Sequence, residues 1–286
     1  MAYVTKDDLA EIFRDTEAFC NEDENLRQAI RDSVKGTAFY GAEEYPSLPK
    51  PRFKHTTISI IKRRTLDSAL SMQRKYLELR IAVHNFASAT NPGGGVRHGS
   101  RAQEESLCRC TTLYPVLDTR ENWERYYSVN REKRNALHDD ACIYTPEIIV
   151  CKSDIDRPAR LPREKWDLID VITIAAPNLR ERPDNQFNIE NANPALITDD
   201  ELLALQEKRL RHMFTVVAYH GAEIFVTGAF GCGAFKNNPE VVAQAYKNIL
   251  PEFDGYFKEI VFAIYCRPNE TQNFEAFKRL FGNAKV

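Results

Sequence analysis

Residues 80–108 read RIAVHNFASATNPGGGVRHGSRAQEESLC, and the architecture can be worked out from this stretch. Over its first nine residues the chain turns apolar and includes the β-branched Ile81 and Val83, which predicts a buried strand over 80–88. A glycine-rich loop follows. Ser100 and Gln103 then fit a capping box, which predicts a helix with Ser100 as its N-cap. A strand, a glycine loop and a helix in this order are typical of α/β proteins that bind ligands beyond the carboxyl ends of their strands.

The same alternation of short strands and helices extends from about residue 55 to the end of the chain. Further strands are predicted over 55–62, 142–152, 167–178, 223–228 and 259–265. Helices are predicted over 66–79, 121–135, 198–219, 239–250 and 273–281. Residues 6–35 have apolar residues at helical spacing, and the Asn- and Pro-rich residues 179–197 indicate a surface loop. The pattern predicts an α/β fold with a mostly parallel or mixed sheet between helices, preceded by a helical N-terminal region.

Composition favours an ordinary globular protein. The chain has 286 residues with a formal net charge of −2, so it lacks the basic character of a nucleic-acid-binding domain. Its seven cysteines include no C-x-x-C pair, which is typical of a reducing compartment, and no cysteines and histidines cluster at zinc-ligand spacing. Neither a signal peptide nor a membrane helix is evident. We therefore expect a cytoplasmic protein without a bound metal.

A second glycine-rich loop, TGAFGCGAFKNNP over 227–239, also follows a predicted strand and precedes a predicted helix. Gly231 and Gly233 would let backbone N–H groups approach an anion closely. The loop matches neither a dinucleotide-binding G-x-G-x-x-G nor a P-loop. A tight turn without a ligand is an equally good interpretation of this loop alone. Phe230 and Phe235 would then be core residues rather than ring faces for a nucleoside.

The first glycine loop precedes two adjacent carboxylates, Glu104 and Glu105. The side of the predicted helix on which each one lies follows from the helical rotation. Successive helical residues are rotated by about 100°, so Gln103 lies on the apolar stripe with Leu107 and should brace the loop from inside. Glu105 lies nearly opposite and should face the open side, with Glu104 between. The pair could be a solvated helix start favoured by the helix dipole, or an acid–base site. Burial and like charge raise a carboxyl pKa whereas a helix N-terminus lowers it, so spacing alone leaves both interpretations open.

Other candidate residues give weaker signals. His98 is isolated, and solvent-exposed roles for Arg97 and Arg101 are as plausible as contact with a pyrophosphate. No general base is evident for Ser106, Cys108 or Cys232, so the sequence does not support a serine or cysteine nucleophile.

These residues together resemble a known family. GGGVRHGSRAQEE is similar to the signature of poly(ADP-ribose) glycohydrolases, and GAFGCGAF resembles the diphosphate loop of the same family. The segments NFASATNPGGG, AQEESLCR, ITIAAPN and VFAIY resemble sequences of the microbial-type branch of this family. The resemblance extends from about residue 55 to the C-terminus.

The resemblance implies a macro-domain-like, three-layer α/β fold in which ADP-ribose occupies a cleft at the strand ends. It implies a catalytic domain over 55–286 and an N-terminal helical extension over 1–54 that packs on it. The implied activity is hydrolysis of the O-glycosidic bond of poly(ADP-ribose) at chain ends, which releases ADP-ribose and requires no cofactor. The expected partners are poly(ADP-ribose) or ADP-ribosylated proteins. We expect a monomer that has no membrane association and no sequence-specific contact with nucleic acid.

The resemblance also assigns roles to single residues. Glu105 would be the catalytic acid/base, and Glu104 would hold ribose hydroxyls. Backbone close to the substrate would come from Gly93, Gly94 and Gly95 on one side and from Gly231, Cys232, Gly233, Ala234 and Phe235 on the other. Phe235 would pack on the terminal ribose, Asn91 would bind a ribose hydroxyl, and Asn85 would contact the adenine. Glycosidases commonly place two carboxylates about 5–10 Å apart across the bond, which adjacent glutamates cannot do, so a single acid/base is expected.

One segment departs from the family pattern. Val96, Arg97 and His98 stand where apolar or small residues are usual, and this leaves the preference for polymer open. Two alternatives remain: a hydrolase of single ADP-ribose units on a protein or nucleic acid, and a module that binds ADP-ribose without cleaving it. Gln103, Glu104 and Glu105 argue against the binding module, because a reader of ADP-ribose needs the glycine loops but not the acid pair.

Overall fold

The computed structural model describes residues 4–191, 193–267 and 269–282; Ala192 of the predicted surface loop, Pro268 and the first and last few residues of the chain lie outside them. The strands within the described residues are β1 (Ala38–Tyr40), β2 (Thr57–Ile61), β3 (Ile81–Phe86), β4 (Cys142–Val150), β5 (Asp167–Ile174), β6 (Ile224–Thr227) and β7 (Glu259–Ala263). The helices are α1 (Lys6–Glu22), α2 (Glu24–Gly36), α3 (Thr65–Lys75), α4 (Gln103–Cys110), α5 (Leu113–Leu117), α6 (Arg120–Asn122), α7 (Ser128–Lys133), α8 (Asp199–Tyr219), α9 (Pro239–Ile249) and α10 (Gln272–Phe281).

The strands form one mixed sheet in the order β1-β4-β5-β3-β6-β7-β2. Strand β3 lies at its centre and pairs in parallel with both β5 and β6. Strands β1 and β4 form an antiparallel edge. A central parallel strand is covered on both faces, which explains why residues 81–85 are all buried. The predicted mixed α/β architecture is confirmed.

Two apolar cores lie on the two faces of the sheet. On one face Phe214 of α8, Tyr246 of α9 and Phe277 of α10 belong to one buried cluster. On the other, Leu66 of α3 and Leu107 of α4 belong to a second cluster. Strands β3 and β6 pair in parallel, so their carboxyl ends lie at the same edge of the sheet, where the two glycine loops begin.

The N-terminal residues form helices α1 and α2, as predicted, and also the edge strand β1, which the sequence pattern does not predict. Helix α1 packs closely on the rest of the chain. The Thr16 hydroxyl donates to the Arg109 carbonyl at 2.6 Å, and the Lys152 ammonium donates to the Ile12 carbonyl at 2.8 Å. The domain boundary at residue 54 stays a prediction.

Several predicted helix ends are confirmed and others differ. Thr198 forms the predicted capping box with Glu201, and Asn238 caps α9 ahead of Pro239. The helix predicted over 66–79 ends at Lys75. The helix predicted over 121–135 contains a π-helical turn at Trp123–Tyr127, which lets the bulky residues Tyr126 and Tyr127 both reach the core.

Candidate active site

A cleft of about 980 Å³ lies at the carboxyl ends of the central strands. The first glycine loop, the start of α4 and the second glycine loop line it, and so does part of the Asn-rich loop. The predicted site residues that line it are Gly94, Gly95, Gln103, Glu104, Glu105, Gly231, Cys232, Gly233, Ala234 and Phe235. The structure therefore brings both glycine loops and the two adjacent carboxylates to one site.

Gln103 braces this site from inside, in the way its helical position predicts. The side-chain oxygen of Gln103 accepts a hydrogen bond from the Phe86 amide at 2.9 Å, and its side-chain NH2 group donates to the His84 carbonyl at 2.6 Å. These two bonds join the first residue of α4 to the end of β3. The first turn of the helix is therefore held in register with the central strand.

The predicted N-cap of this helix is wrong. Helix α4 begins at Gln103 with Ala102 as its N-cap, and no side chain caps it. Ser100 lies in the preceding loop, where its carbonyl accepts from Arg109 at 2.7 Å. Gly99 adopts a left-handed conformation with φ +70°, and it redirects the chain so that the helix starts two residues later than a capping box would place it.

Glu104 is buried with three hydrogen-bond donors around its carboxylate. The Ser88 amide donates at 2.7 Å, the Gly93 amide at 3.1 Å and the Asn85 side chain at 3.3 Å. Two of these donors are backbone groups, whose directions are set by the fold. Several donors to one carboxylate favour its ionised form.

Glu105 lines the cleft, which is the open side predicted for it, but it is also buried. Its side chain is 7% exposed because the first glycine loop folds back over it. The Gly95 amide donates to its Oε1 at 3.0 Å. Its Oε2 is buried and has no hydrogen-bond partner among the described residues. Since a buried oxygen without a partner costs free energy, it is a natural position for a proton or a substrate atom.

Both carboxyl groups favour their protonated forms more than an exposed glutamate does. Burial and then the charge of the neighbouring Glu105 raise the pKa of Glu104. Burial raises the pKa of Glu105, against the opposing effects of the Gly95 amide and of Arg109. Like charges so close do not ionise together easily. The three donors to Glu104 oppose the rise of its pKa to about 8, whereas Oε2 of Glu105 has no donor among the described residues.

The first glycine loop positions these carboxylates through its backbone. Gly94 has φ +55°, and a Cβ placed on it would lie 2.8 Å from Oε1 of Glu105 and 3.1 Å from Oε2 of Glu104. The Gly94 amide donates to the Asn91 carbonyl at 3.1 Å. The amides of Gly93, Gly94 and Gly95 thus all have partners within the protein. The loop offers the substrate a bare backbone surface rather than unpaired donors.

The second glycine loop has the opposite character. Its bend is fixed by Asn237, whose side-chain NH2 donates to the Pro177 carbonyl at 2.7 Å and to the Gly231 carbonyl at 3.3 Å. Among the described residues, no hydrogen-bond acceptor is found for the amides of Gly233, Ala234 and Phe235. These consecutive amides lie beside the cleft, where they are available to an anion. Phe230 is a core residue, while Phe235 is half-buried at the cleft wall.

Three predicted site residues do not line the cleft. Asn85 is fully buried, and it donates to Glu104 and to the Thr173 hydroxyl, so the predicted contact with adenine is wrong in this geometry. Asn91 donates to the Phe187 carbonyl at 3.0 Å, and its oxygen accepts from Arg131. Gly93 lies behind the carboxylates. These residues hold the site in place from a layer behind it.

The unusual segment Val96–His98 is a short 3-10 turn. Val96 is buried in the core, and Arg97 turns away from the cleft toward α1, where it pairs with Glu17 at 2.7 Å. His98 lies beside Phe187, with ring centroids 5.2 Å apart. Neither Arg97 nor His98 lines the cleft. The charge of Arg97 therefore does not enter the pocket directly.

Sequence reasoning missed a group of cleft residues in the predicted surface loop. This loop supplies Arg180, Asn185, Phe187 and Asn188 to the cleft wall. The Ser88 hydroxyl donates to the Asn188 side chain at 3.0 Å and so joins this loop to the end of β3. The density of asparagines in the segment was the available signal, because asparagine side chains stabilise irregular backbone.

Neither a metal-binding cluster nor a membrane-spanning helix is found in the part of the chain that the structure describes. No group of three or more His, Cys, Asp or Glu side chains there could hold a metal ion. No helix among these residues is both long and apolar enough to cross a membrane.

Comparison with known proteins identifies relatives of the chain. The family model of the microbial-type poly(ADP-ribose) glycohydrolase catalytic domain matches residues 8–153, just over half of the 286 residues. The crystal structure of poly(ADP-ribose) glycohydrolase from Thermomonospora curvata is 28% identical with a TM-score of 0.78, and the alignment covers 94% of this chain and 98% of that chain. The same enzyme bound to the inhibitor ADP-HPD gives the same values.

A second similar structure is poly(ADP-ribose) glycohydrolase from Deinococcus radiodurans in complex with ADP-ribose. It is 29% identical with a TM-score of 0.71, and the alignment covers 87% of this chain and 95% of that chain. No curated protein sequence matches the chain. The relatives thus share the whole architecture rather than an isolated motif.

Proposed function

The chain belongs to the microbial-type poly(ADP-ribose) glycohydrolase family, and on that premise we propose that Glu105 is the acid/base with which it cleaves its substrate. Chains of this family are glycosidases, and this one hydrolyses poly(ADP-ribose). One observation supports the role of Glu105 most strongly. Of the two buried carboxylates, Glu104 has three donors, whereas Oε2 of Glu105 has no partner among the described residues.

In the proposed reaction, Glu105 first acts as an acid. It transfers its proton to the glycosidic oxygen as the bond from that oxygen to the anomeric carbon breaks. The sugar becomes an oxocarbenium ion, and the leaving unit departs with a neutral hydroxyl group. Glu105, now ionised, then removes a proton from water, whose oxygen bonds to the anomeric carbon. Burial raises the pKa of Glu105, which favours the protonated form that a general acid needs.

Glu104 has a different task in this proposal. Its carboxyl group is held by the amides of Ser88 and Gly93, and we assign it to the ribose hydroxyls. Where Glu104 is ionised, its carboxylate stabilises the developing oxocarbenium ion electrostatically. Asn85 contributes indirectly by holding Glu104 in place.

The diphosphate is assigned to the second glycine loop. The amides of Gly233, Ala234 and Phe235 have no acceptor among the described residues, and consecutive amides of this kind bind anions. A Cβ placed on Gly233 would meet nothing within 4 Å, which leaves room for an anion to approach. The Phe235 ring lies at the cleft wall, where a ribose can pack on it.

Hydrolysis by substituted proteins tests these roles. Purified protein is given polymeric ADP-ribose and, separately, singly ADP-ribosylated peptides, and released ADP-ribose is measured over time. We expect release from the polymer by the unsubstituted protein, a loss of about 10²–10⁴-fold in Glu105→Gln, and retained ADP-ribose binding in that variant. A larger loss in Glu104→Gln than in Glu105→Gln would reverse the assignment.

The same assay separates the remaining alternatives. Release from singly modified peptides but not from polymer would identify a hydrolase of single units. Binding without release from either substrate would identify a reader of ADP-ribose. Cleavage at chain ends, which we propose, yields free ADP-ribose from the first time point, whereas internal cleavage yields short oligomers first. A monomeric state, a cytoplasmic location and a domain boundary at residue 54 complete the proposal.

A further inference from the structure

Arg109, in the last turn of α4, is a buried cation whose position the proposed function leaves unexplained. Its side chain is 3% exposed, and its Nε is buried without a hydrogen-bond partner among the described residues. Burial of a charged group costs free energy unless opposite charge or hydrogen bonds compensate it. The groups around the guanidinium of Arg109 therefore indicate what this cation is there to do.

The side chain of Arg109 extends back along its own helix toward the acid pair. Helical side chains point toward the N-terminus of their helix, and residues four positions apart are neighbours on its surface. Glu105 stands four positions before Arg109. One terminal NH2 group of the guanidinium donates to the carbonyl of Ser100, which precedes α4, at 2.7 Å. A side chain that starts at Arg109 and ends at Ser100 therefore passes Glu105.

A short series of hydrogen bonds also connects Arg109 to the carboxyl group of Glu105 through the first glycine loop. Arg109 holds the Ser100 carbonyl, and the Ser100 amide donates to the Gly95 carbonyl at 3.2 Å. The Gly95 amide donates in turn to Oε1 of Glu105 at 3.0 Å. A Cβ placed on Gly95 would collide with the Ser100 hydroxyl, so the loop closes tightly at this point. Arg109 thus holds from behind the loop that covers Glu105.

Arg109 acts on Glu105 through its charge as well. The positive charge opposes the effect of burial, which raises the pKa of Glu105. Glu105 in turn opposes the lowering of the Arg109 pKa by burial. The effect acts through space, because no hydrogen bond joins the two side chains among the described residues. A buried cation beside a buried acid pair makes the negative charge of that pair less costly.

The other titratable groups that pack around Glu105 do not supply a buried cation. Glu104 and Cys108 lie on α4 itself, and burial raises the pKa of the Cys108 thiol. Burial lowers the pKa of His84, on β3, to about 3, so its ring is neutral near pH 7. Asp154, after β4, accepts from the Ser106 hydroxyl at 3.2 Å. His98 lies at the surface of the 3-10 turn.

The cations that reach this region from other segments are all exposed or half-buried. Arg97 pairs with Glu17 of α1, and Arg267 at the far side of the cleft lies 3.6 Å from Glu270. The others among the described residues are Arg64, Arg101, Arg180 and Lys236. Solvent screens these charges more than it screens Arg109.

From these contacts we propose that Arg109 is a positioning residue for Glu105, which holds the first glycine loop closed over it and offsets part of the negative charge of the acid pair. Arg109 does not itself line the cleft, so it acts through Glu105 and not on the substrate. The inference rests on the proposed function, because it concerns the residue to which acid/base catalysis is assigned. It links a residue behind the cleft to the pH dependence of hydrolysis, which a purely structural brace would not affect.

Two substitutions separate the charge of Arg109 from its role as a brace. Arg109→Gln removes the charge and keeps a side-chain donor of shorter reach. Arg109→Lys is the matched control, because it keeps the charge and a donor that can reach the Ser100 carbonyl. Urea unfolding of both variants at neutral pH shows first that each is folded under the conditions of the assays.

The direct measurement is a pH titration of the glutamate carboxyl carbons by NMR on the full chain. The signal of Glu105 is identified by its absence in Glu105→Gln. We expect its titration midpoint to rise by about one pH unit in Arg109→Gln, because the ionised carboxylate loses a nearby positive charge. In Arg109→Lys the midpoint should stay where it is in the unsubstituted protein.

Hydrolysis of poly(ADP-ribose) gives a second readout. A general acid with a higher midpoint stays protonated to higher pH, so the alkaline limb of kcat/KM should move upward in Arg109→Gln by the same amount. The loosened glycine loop should also lower kcat at the pH optimum by about tenfold. Arg109→Lys should restore most of this loss and leave the alkaline limb unchanged.

Two results would overturn the inference. The first is an unchanged midpoint of Glu105 in folded Arg109→Gln, which would leave Arg109 as a structural brace alone. The second is a midpoint displaced in Arg109→Lys, which retains the charge; this variant decides the question by itself where Arg109→Gln does not fold. Failure of the proposed function would appear separately, as undiminished polymer hydrolysis by Glu105→Gln, whatever the midpoints are.

Discussion

Replacing Gly94 by alanine probes how the first glycine loop supports the acid pair. The residue has φ +55°, a conformation that costs an L-residue about 1–2 kcal/mol. The added Cβ would lie 2.8 Å from Oε1 of Glu105 and 3.1 Å from Oε2 of Glu104, so both carboxylates must move. Displacing Glu105 also weakens its bond from the Gly95 amide, worth about 1 kcal/mol. We expect the free energy of unfolding to fall by about 2–3 kcal/mol.

The effect on catalysis should exceed the effect on stability. A displacement near 1 Å at a catalytic group lowers rates about 100-fold, so kcat on poly(ADP-ribose) should fall by about that factor. Gly221→Ala is the matched control, because Gly221 has φ +78° and a Cβ there would meet nothing within 4 Å. That variant should lose about 1–2 kcal/mol of stability and keep its kcat within about twofold.

Urea unfolding and initial-rate hydrolysis, both done on the two alanine variants, provide the assay. Stability is compared first, so that rates are measured where each variant is folded. The reasoning is refuted if Gly94→Ala keeps a kcat close to that of the unsubstituted protein. It is refuted equally if the two variants lose the same fraction of activity, because the loss would then come from backbone strain and not from the carboxylates.

Two further predictions follow from the burial of the site. Glu105→Gln should stabilise the protein at high pH. Burial raises the pKa of Glu105 in the folded state above its unfolded value of about 4.3. The contribution of Glu105 to stability is therefore fully present below the unfolded pKa and is lost as pH rises through the folded pKa. The free energy of unfolding of the variant, measured in urea relative to that of the unsubstituted protein, should increase by about 1.4 kcal/mol for each pH unit between the unfolded and the folded pKa and then level off. A difference that does not depend on pH would contradict this prediction. Asn85→Leu should weaken binding of ADP-ribose and of ribose 5-phosphate equally, by about tenfold, because Asn85 acts through Glu104; a loss confined to ADP-ribose would indicate contact with adenine.

Sequence patterns predicted the main elements of this fold well. The strand over 80–88, the capping box at Thr198 and the N-cap at Asn238 depend on local preferences, and local preferences survive in the folded chain. Strand β1 was not predicted, because three residues at a sheet edge are too few to show a periodic pattern. Its pairing with β4 depends on residues about 100 positions away.

The sequence predicted the motifs that form the candidate site, but not how deeply their residues are buried. The two glycine loops and the acid pair are brought together at one cleft, as the motifs indicated. The burial of Glu105 was not predictable, because it results from the loop folding back through the left-handed Gly94 and Gly99. The cleft role of Phe187 was missed for a similar reason. An irregular loop has no period from which the direction of a side chain can be worked out.

The role of Glu105 as a general acid is tested most directly by varying the leaving group. The rate of Glu105→Gln relative to the unsubstituted protein is measured on poly(ADP-ribose) and on an ADP-ribose conjugate with a p-nitrophenol leaving group, which departs without protonation. We predict a loss of about 10³-fold on the polymer and of at most about tenfold on the conjugate. An equal loss on both substrates would contradict the assignment of Glu105 as the acid.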